Sequence, residues 1–542
     1  MHSLSGQTVS PNTSQTKSIK KVAGATVSGR VTVQGKGKGG VFVGIRPGEF
    51  GPQMGPSIKA VTDADGNYQL TDIPPGNYRV VPMAPAYVVS DYTAFGGQGK
   101  GLILNEGERV DDIDFSIVRG AIVTGKVTQS DGTPVIDEPV YLVSAVQTNQ
   151  RGQGSSRFQT DDRGVYRMFG IAPGRYKVCV GVTDETYFPN RSRPAFVRVF
   201  YPSVVDFNEA KVVELSEGSE ATNIDITVGQ SMQNFVASGV IVNSENSQPV
   251  QNVRLGLQRI IDPNRGSFIG SSTISNSRGE FRLENIPPGK YSIIMMPQPN
   301  NDIRVGPVSF EIVDQDVAGL VLKTMKGGVV SGFVVLEGKQ DRELYARLAK
   351  MRLLAHVRES REGVQSALGA VSAIAADGGF RFGGLAAGAA LFSLSSSDPQ
   401  IRSGFIISRI ERDGVVQPRS GVEIKEGEEI AGLRIVVVYG TGSVRGSVKF
   451  HNGPLPSGVN LMVRLLKTGD SSYAIRPQNV DARGNFVFDG VPAGTYEVNV
   501  MGSIPQLRGR QPTAKQSVTV TDGAATEVQL VINTDPETQL AP

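Results

Sequence analysis

The sequence predicts an all-β chain, a linear tandem array of five antiparallel β-sandwich domains. Three observations carry this: one stretch recurs five times, apolar residues alternate with period two, and glycine is very frequent (65 of 542 residues) beside an ordinary apolar fraction of 39%. The stretch reads DADGNYQLTDIPPGNYRV from Asp63, DDRGVYRMFGIAPGRYKV from Asp161, NSRGEFRLENIPPGKYSI from Asn276, AADGGFRFGGLAAGAALF from Ala375 and DARGNFVFDGVPAGTYEV from Asp481. Its first glycines (Gly66, Gly164, Gly279, Gly378, Gly484) lie 98 to 115 residues apart, the size of one domain.

Each repeat opens on a strand with a glycine in its middle: ATVSGRVTV, AIVTGKVTQ, FVASGVIVN, GVVSGFVVL and GSVRGSVKF, with Gly29, Gly125, Gly239, Gly332 and Gly446. A glycine inside a strand marks a bulge or a close backbone approach. In the second, third and fifth repeats a proline-containing turn follows (SDGTPV, ENSQPV, HNGPLP), leading to strands such as VRLGLQ. The D-x-D/R-G-x-Y/F element is a tight turn in which Asp or Asn accepts backbone N–H bonds and glycine takes a positive φ. The I-P-P-G-x-Y element turns the chain again, and its Tyr (Tyr78, Tyr176, Tyr291, Tyr496) recurs too regularly for a ligand contact, which makes it a core or corner residue. Closing strands are VDDIDFSIV, ATNIDITV, VAGLVLKT, IAGLRIVVV and ATEVQLVI. The fourth repeat departs from the pattern: it lacks the proline pair and the aromatic, and DRELYARLAK places Leu344, Leu348 and Met351 on helical spacing. The expected boundaries are a polar tail at 1–23, sandwiches at 24–119, 120–231 (an extended variant), 232–326, 327–440 and 441–534, and a tail at 535–542. Very short linkers limit bending between them.

Composition excludes several classes of function. The formal net charge of +3, from 55 basic and 52 acidic side chains, gives no field suited to nucleic acid. No apolar window is long enough for a membrane-spanning helix. The N-terminal MHSLSGQTVSPNTSQTKSIKKVAG has no apolar stretch of the kind that signals secretion, so the sequence by itself fits a cytoplasmic chain or one lacking its leader. The single cysteine, Cys179, lies in the alternating run RYKVCVGV and reads as a buried small hydrophobe.

The pattern G-x-V, G-x-P-V and D-x-x-G-x-Y-x-L-x-x-I-P-P-G-x-Y-x-V, running from Gly24 to Ile532, resembles bacterial proteins built from carboxypeptidase regulatory-like domains. These are related to transthyretin-like (prealbumin-like) and collagen-adhesin B-type modules of Ig-like architecture. The resemblance implies a carbohydrate-binding-like fold on exported or surface proteins (periplasmic, outer-surface or secreted). It does not imply peptidase activity, since the family is named for a domain that accompanies a metallopeptidase. In adhesin-type relatives it also implies lysine-to-asparagine isopeptide crosslinks, for which no Lys, Asn and acid set is evident here.

Candidate chemistry is sparse. His356 and Glu359 form an H-x-x-E with His451 as third ligand, but residues three apart on a strand face opposite ways, so zinc is not expected. Three histidines and no G-x-S-x-G leave no Ser-His-Asp triad. Asp63, Asp65 and Asn67 suggest calcium at one copy, yet Arg163, Arg278 and Arg483 stand at the Asp65 position elsewhere. Glycan stacking lacks tryptophan altogether. The aromatic segments left are YVVSDYTAF (Tyr87, Tyr92, Phe95) and YFPNRSRPAFVRVFYP. The second supplies the candidate ligand residues Tyr187, Phe188, Arg191, Arg193, Phe196, Arg198 and Tyr201. The competing reading, aromatics that anchor a long connection to the sandwich, is preferred. The expectation is a non-catalytic scaffold or interaction protein without metal or cofactor. Its partners are polysaccharide or envelope proteins, and its self-association is open. The alternatives are a carbohydrate-binding protein and an accessory part of a metallopeptidase system.

Overall fold

The repeated turn shows how the sequence specifies its own geometry. The Asp63 carboxylate accepts the backbone N–H groups of Asp65 (3.0 Å) and Asn67 (2.8 Å). Asp161, Asn276 and Asp481 do the same for residues two and four positions on. The glycine between sits at φ 83°, 75°, 71°, 89° and 89° in Gly66, Gly164, Gly279, Gly378 and Gly484, a conformation costly for any residue with a Cβ. The fourth repeat, with Ala375 at the acceptor position, uses Asp377, which accepts from Gly379 N at 2.9 Å.

The computed structural model describes residues 23–48, 58–90, 99–145, 158–182, 196–262, 265–296, 298, 301–338, 341–359, 369–396, 398, 404–418, 420–451, 459–503 and 514–533. The chain divides into two compact units, Met1–Ala84 with Gly97–Ile117, and Pro85–Gly96 with Val118–Pro542. Among the described residues there are ten sheets, two per repeat, and one helix.

In the first unit, Ile58–Val61, Phe42–Pro47, Gly76–Met83 and Lys100–Leu104 make one antiparallel sheet. The other is built around Ala25–Val33, antiparallel to Asn67–Ile73 and parallel to Arg109–Val110 and to the strand that begins at Phe115. The second unit repeats this scheme four times, each with its own core, for example Val123, Tyr166, Val178 and Ile226, or Val444, Phe486, Tyr496 and Leu530. The antiparallel expectation holds for one sheet of each pair. In the other, the opening and closing strands run parallel, because the chain between them passes through the whole opposite sheet, the long crossover a parallel pair requires. The five opening strands begin and end at the residues the sequence pattern marks.

The mid-strand glycines account for this closure. Each is opposite the turn aromatic in the register: Gly29 and Tyr68, Gly125 and Tyr166, Gly239 and Phe281, Gly332 and Phe380, Gly446 and Phe486. On its other side a closing-strand carbonyl comes so near that a Cβ would lie 2.3, 2.1, 2.0, 1.8 and 2.4 Å from the oxygens of Ile113, Ile224, Leu320, Leu433 and Val528. Where the aromatic is Tyr, the closing strand is interrupted and the phenol donates to that carbonyl: Tyr68 to Ile113 and Tyr166 to Ile224, both at 2.6 Å. Asp114 and Asp225 then accept the opening-strand N–H groups of Arg30 (2.7 Å) and Lys126 (2.8 Å). Where the aromatic is Phe, the closing strand is unbroken, with a register shift beside the glycine in the third and fourth repeats and none in the fifth.

The recurring Tyr of the second turn is a corner residue. Tyr176, Tyr291 and Tyr496 each donate to the carbonyl four residues back, on Ala172, Pro287 and Pro492 at 3.0, 2.8 and 2.9 Å. The helix of the fourth repeat spans Arg342–Leu348; Asp341 caps it, accepting from Glu343 N and Leu344 N, and it buries Leu348 beside Met351.

Two substitutions test the closure. Gly332→Ala drives a Cβ into backbone and is expected to cost at least about 3 kcal/mol, whereas Gly229→Ala, with nothing within 4 Å, changes stability by less than about 0.5 kcal/mol. Tyr166→Phe leaves the Ile224 carbonyl without its phenol donor and costs about 1 kcal/mol. Urea unfolding of each variant measures both.

Candidate functional site

The extended second repeat holds the sequence-derived candidates, and the structure brings only some of them together. Tyr187, Phe188, Arg191 and Arg193 lie outside the described residues, as do Tyr92 and Phe95. Phe196, Arg198 and Tyr201 are described. Val182 donates to the Phe196 carbonyl (2.9 Å) and Arg198 donates back to Val182 (3.0 Å), which fixes the segment along the edge of Gly174–Val180. Phe196 is 5% exposed and belongs to the core, so it offers no face to a ligand. Tyr201 packs against the same core, its N–H on the Val178 carbonyl at 2.9 Å, with the Lys211 ammonium 5.9 Å from its ring centre. The Arg198 guanidinium lies 5.6 Å from the Tyr141 ring centre, and its Nε is buried without a hydrogen-bond partner.

Phe200 points the other way. It meets Val143, Cys179 and Ala210 in a separate apolar cluster on the outer face of the sheet, joined by Tyr141, Val204 and Phe207. Phe200 and Phe207 meet edge to face at 5.6 Å. Lys177, also buried, holds its ammonium 3.9 Å from the Phe207 ring centre and donates to the Phe207 carbonyl. A buried ammonium needs such partners, because an unpaired one would lose its hydration without compensation. Segment 196–211 therefore covers its own sheet, and each of these aromatic rings has a cation or another ring against it.

Sequence reasoning had singled out neither Lys177, Tyr141 nor Phe207. The signal was present: in RYKVCVGV, Lys177 and Cys179 share one strand face while Val178 and Val180 share the other. Cys179 is buried as expected, but in the outer cluster, and its burial pushes the thiol up to about 11.

The other candidate groups have structural duties or stand apart. The first turn commits Asp63 to Asp65 N, Asn67 N and the Asn67 amide. Those bonds hold its carboxyl below the ordinary carboxylate range. Asp161 is lowered in the same way by Val165 N. His356 and His451 are both exposed, and among the described residues no three His, Cys, Asp or Glu groups gather as a metal site would need. Lys177, the buried lysine of the described residues, rests on a carbonyl oxygen.

Two measurements follow. Native protein at pH 8 should resist thiol alkylation at Cys179 and react fully in urea; reaction at equal rates would show the outer cluster to be open. Asp63 and Asp161 have folded pKa values below the unfolded one, so their turn bonds contribute fully above pH ~4 and are lost as pH falls through the lowered values. Acid titration followed by site-resolved NMR should show the first two repeats loosening at those turns, and Asp63→Asn should flatten that dependence in the first repeat.

No family model matches the chain. Among curated proteins, Colossin-A of Dictyostelium discoideum is 27% identical over 263 residues, covering 44% of this chain and 2% of that protein. BOS complex subunit NOMO3 of Homo sapiens is 23% identical over 337 residues, covering 61% of this chain and 24% of that protein. The chain thus spans a quarter or less of the length of these two relatives. Solved structures similar to it include a streptococcal ancillary pilin (14% identity, 56% of this chain, 99% of that chain, TM-score 0.25). Another is the minor pilin GBS52 of Streptococcus agalactiae (13% identity, 38% of this chain, 96% of that chain, TM-score 0.23).

Proposed function

We propose that the chain is a non-catalytic scaffold and interaction protein, acting outside the cytoplasm. In this reading its carboxypeptidase regulatory-like sandwiches occupy 24–119, 120–231, 232–326, 327–440 and 441–534. The observation that supports this best is that the joints between sandwiches are built as carefully as the sandwiches.

Between the third and fourth repeats, Gly327 donates to the Asp302 carbonyl at 2.8 Å. The Asp302 carboxylate takes Arg381 through both oxygens at 2.6 and 2.5 Å, and Arg304 reaches Glu426 at 3.2 Å. Partly exposed ion pairs of this kind contribute little each. The steric fit matters more: a Cβ on Gly383 would lie 2.7 Å from the Asn301 carbonyl oxygen, and one on Gly384 would lie 2.6 Å from that of Ile303. Only a glycine pair admits the third repeat's backbone so closely. Between the fourth and fifth repeats, a Cβ on Gly440 would lie 2.2 Å from the backbone nitrogen of Pro492, and Ile406 packs against the fifth core. On the fourth repeat's side of this joint the Phe405 and Tyr439 rings meet at 4.9 Å, tilted by 50°, and Arg347 lies over both and donates to the Tyr439 hydroxyl at 2.7 Å. Fixed joints suit a spacer that holds loops at set separations, and an enzyme would not require them at successive repeats.

The glycan-binding alternative draws no support from the described aromatics of the second repeat's covering segment, since Phe196 lies in the core and Phe200, Tyr201 and Phe207 have a cation or another ring against them. Spin labels on exposed Asp314 and Glu423 test the joint, because pulsed dipolar spectroscopy reads the distance between them. A single narrow distribution is expected, broadened by Gly383→Val; a broad distribution in the unsubstituted joint would remove the case for a spacer.

A further inference from the structure

The connections from the second repeat onward are of two kinds. The third and fourth repeats are joined through Gly327 alone, and the fourth and fifth through Gly440 and Thr441. Six residues, Gly229 to Asn234, separate Ile226–Val228 of the second repeat from Phe235–Asn243 of the third. The short joints share a construction. In the third repeat Ile303–Val305 pairs with the far edge of the closing strand Val317–Lys326, which sets Asn301 to Ile303 against Gly383 and Gly384. In the fourth, Phe405–Arg412 pairs with Glu429–Tyr439 in the same way and brings Ile406 onto the fifth core.

The second repeat uses this part of its chain differently. Beyond Gly174–Val180 the chain comes back along the same antiparallel sheet, where Val199–Phe200 pairs with Gly174–Val180 and Phe200 and Phe207 join the outer cluster. The receiving side differs as well. Gly384 and Gly490 take the bulge of the fourth and fifth repeats at φ 67° and 69°, and Asn285 takes that of the third at φ 59°. Asn234 directly precedes the third opening strand, as Gly327 precedes the fourth. Gly327 comes so near the fourth bulge that a Cβ on it would lie 2.4 Å from the Cα of Gly384. Side chains on both Asn234 and Asn285 exclude such an approach.

The long connection is exposed at Gly229, Gln230, Ser231, Gln233 and Asn234, and a Cβ on Gly229 would meet nothing within 4 Å. Met232 is half-buried instead, packed against the buried Val182. Val182 is held in turn by the Phe196 carbonyl and the Arg198 N–H. Firm structure begins on either side: Val228 is buried and pairs with Gln129, and Val236 donates to the Asp316 carboxylate at 2.9 Å.

We propose that Gly229 to Asn234 is a hinge between the second and third repeats, and that Met232 seated on Val182 is the latch that holds it closed. Domain hinges are a few connecting residues that absorb the backbone rotation while the elements on either side stay intact. Methionine suits a latch, because its unbranched, adaptable side chain can leave an apolar seat and return without a demanding fit. The proposal rests on the scaffold reading and divides it: separations are set within the third to fifth repeats and adjustable across this one connection.

Pulsed dipolar spectroscopy on two label pairs tests it. Asp162 with Asp314 reads across the connection, and Asp314 with Glu423 reads the joint between the third and fourth repeats, all three residues being exposed. The first distance distribution is expected to be wider than the second. Met232→Ser should widen the first about twofold further and leave the second unchanged. Met232 packs outside the sandwich cores, and unchanged circular dichroism checks that the variant folds. Equal widths for the two pairs overturn the hinge, and a first distribution indifferent to Met232→Ser overturns the latch. The spacer reading depends on the width of the second pair alone and the hinge on the difference between the pairs, so the two can fail separately.

Discussion

The fold depends on one close approach, that of a closing-strand carbonyl to the glycine in the middle of the opening strand. The opening strand must pair on both edges, antiparallel to the strand after the first turn and parallel to the strand that ends the repeat. A side chain at the contact would hold the two backbones apart. Removing it leaves a gap on the core side, and in all five repeats that gap faces the turn aromatic. Glycine and aromatic thus act as one device placed on two strands. The choice of Tyr or Phe then goes with how the ladder is completed. Tyr supplies a hydroxyl to a carbonyl that an interrupted strand leaves over, and Phe accompanies a strand long enough to satisfy its own groups.

The opening strand also sets the joint. Its first residues lean on a bulge in the neighbouring strand, where Asp72, Gly170, Asn285, Gly384 and Gly490 all have φ between 56° and 69°. Asp, Asn and Gly are the types that tolerate this conformation. A Cβ on Gly327 would lie 2.4 Å from the Cα of the bulged Gly384, so the third repeat's chain enters the fourth against backbone instead of side chain. Core and joint therefore share residues, and a change at the start of an opening strand disturbs both.

Much of this was legible in the sequence, for identifiable reasons. Opening strands and first turns are local patterns repeated five times and corner tyrosines four times, and repetition filters out chance. The helix at Arg342–Leu348 declared itself by spacing, and its Asp341 cap emerged with the structure. The parallel direction of the closing strand was not legible, because alternation reads the same in either direction. The bulges were hidden because one left-handed residue does not break a period-two pattern visibly. Gly383 and Gly384 carry no signal of their own in the sequence; they are the surface that receives Asn301 to Ile303, and the partner segment lies some eighty residues away in sequence. The outer cluster of the second repeat was obscured because Val178, Cys179 and Val180 are all buried, against two different layers.

In a repeated scaffold the positions that recur encode the fold, so information about function must lie where the copies differ. Turn acceptors and mid-strand glycines serve the fold in every copy, and corner tyrosines do so in four of the five. The outer sheet face is free of those duties, and the copies use it differently. The second places Cys179 and Lys177 there and covers them with Phe200 and Phe207, while the first places Phe42, Arg46 and Arg79 there and leaves Phe42 half exposed. The recurring positions hold the fold in each copy, and the outer face is where the side-chain chemistry of the first two copies diverges.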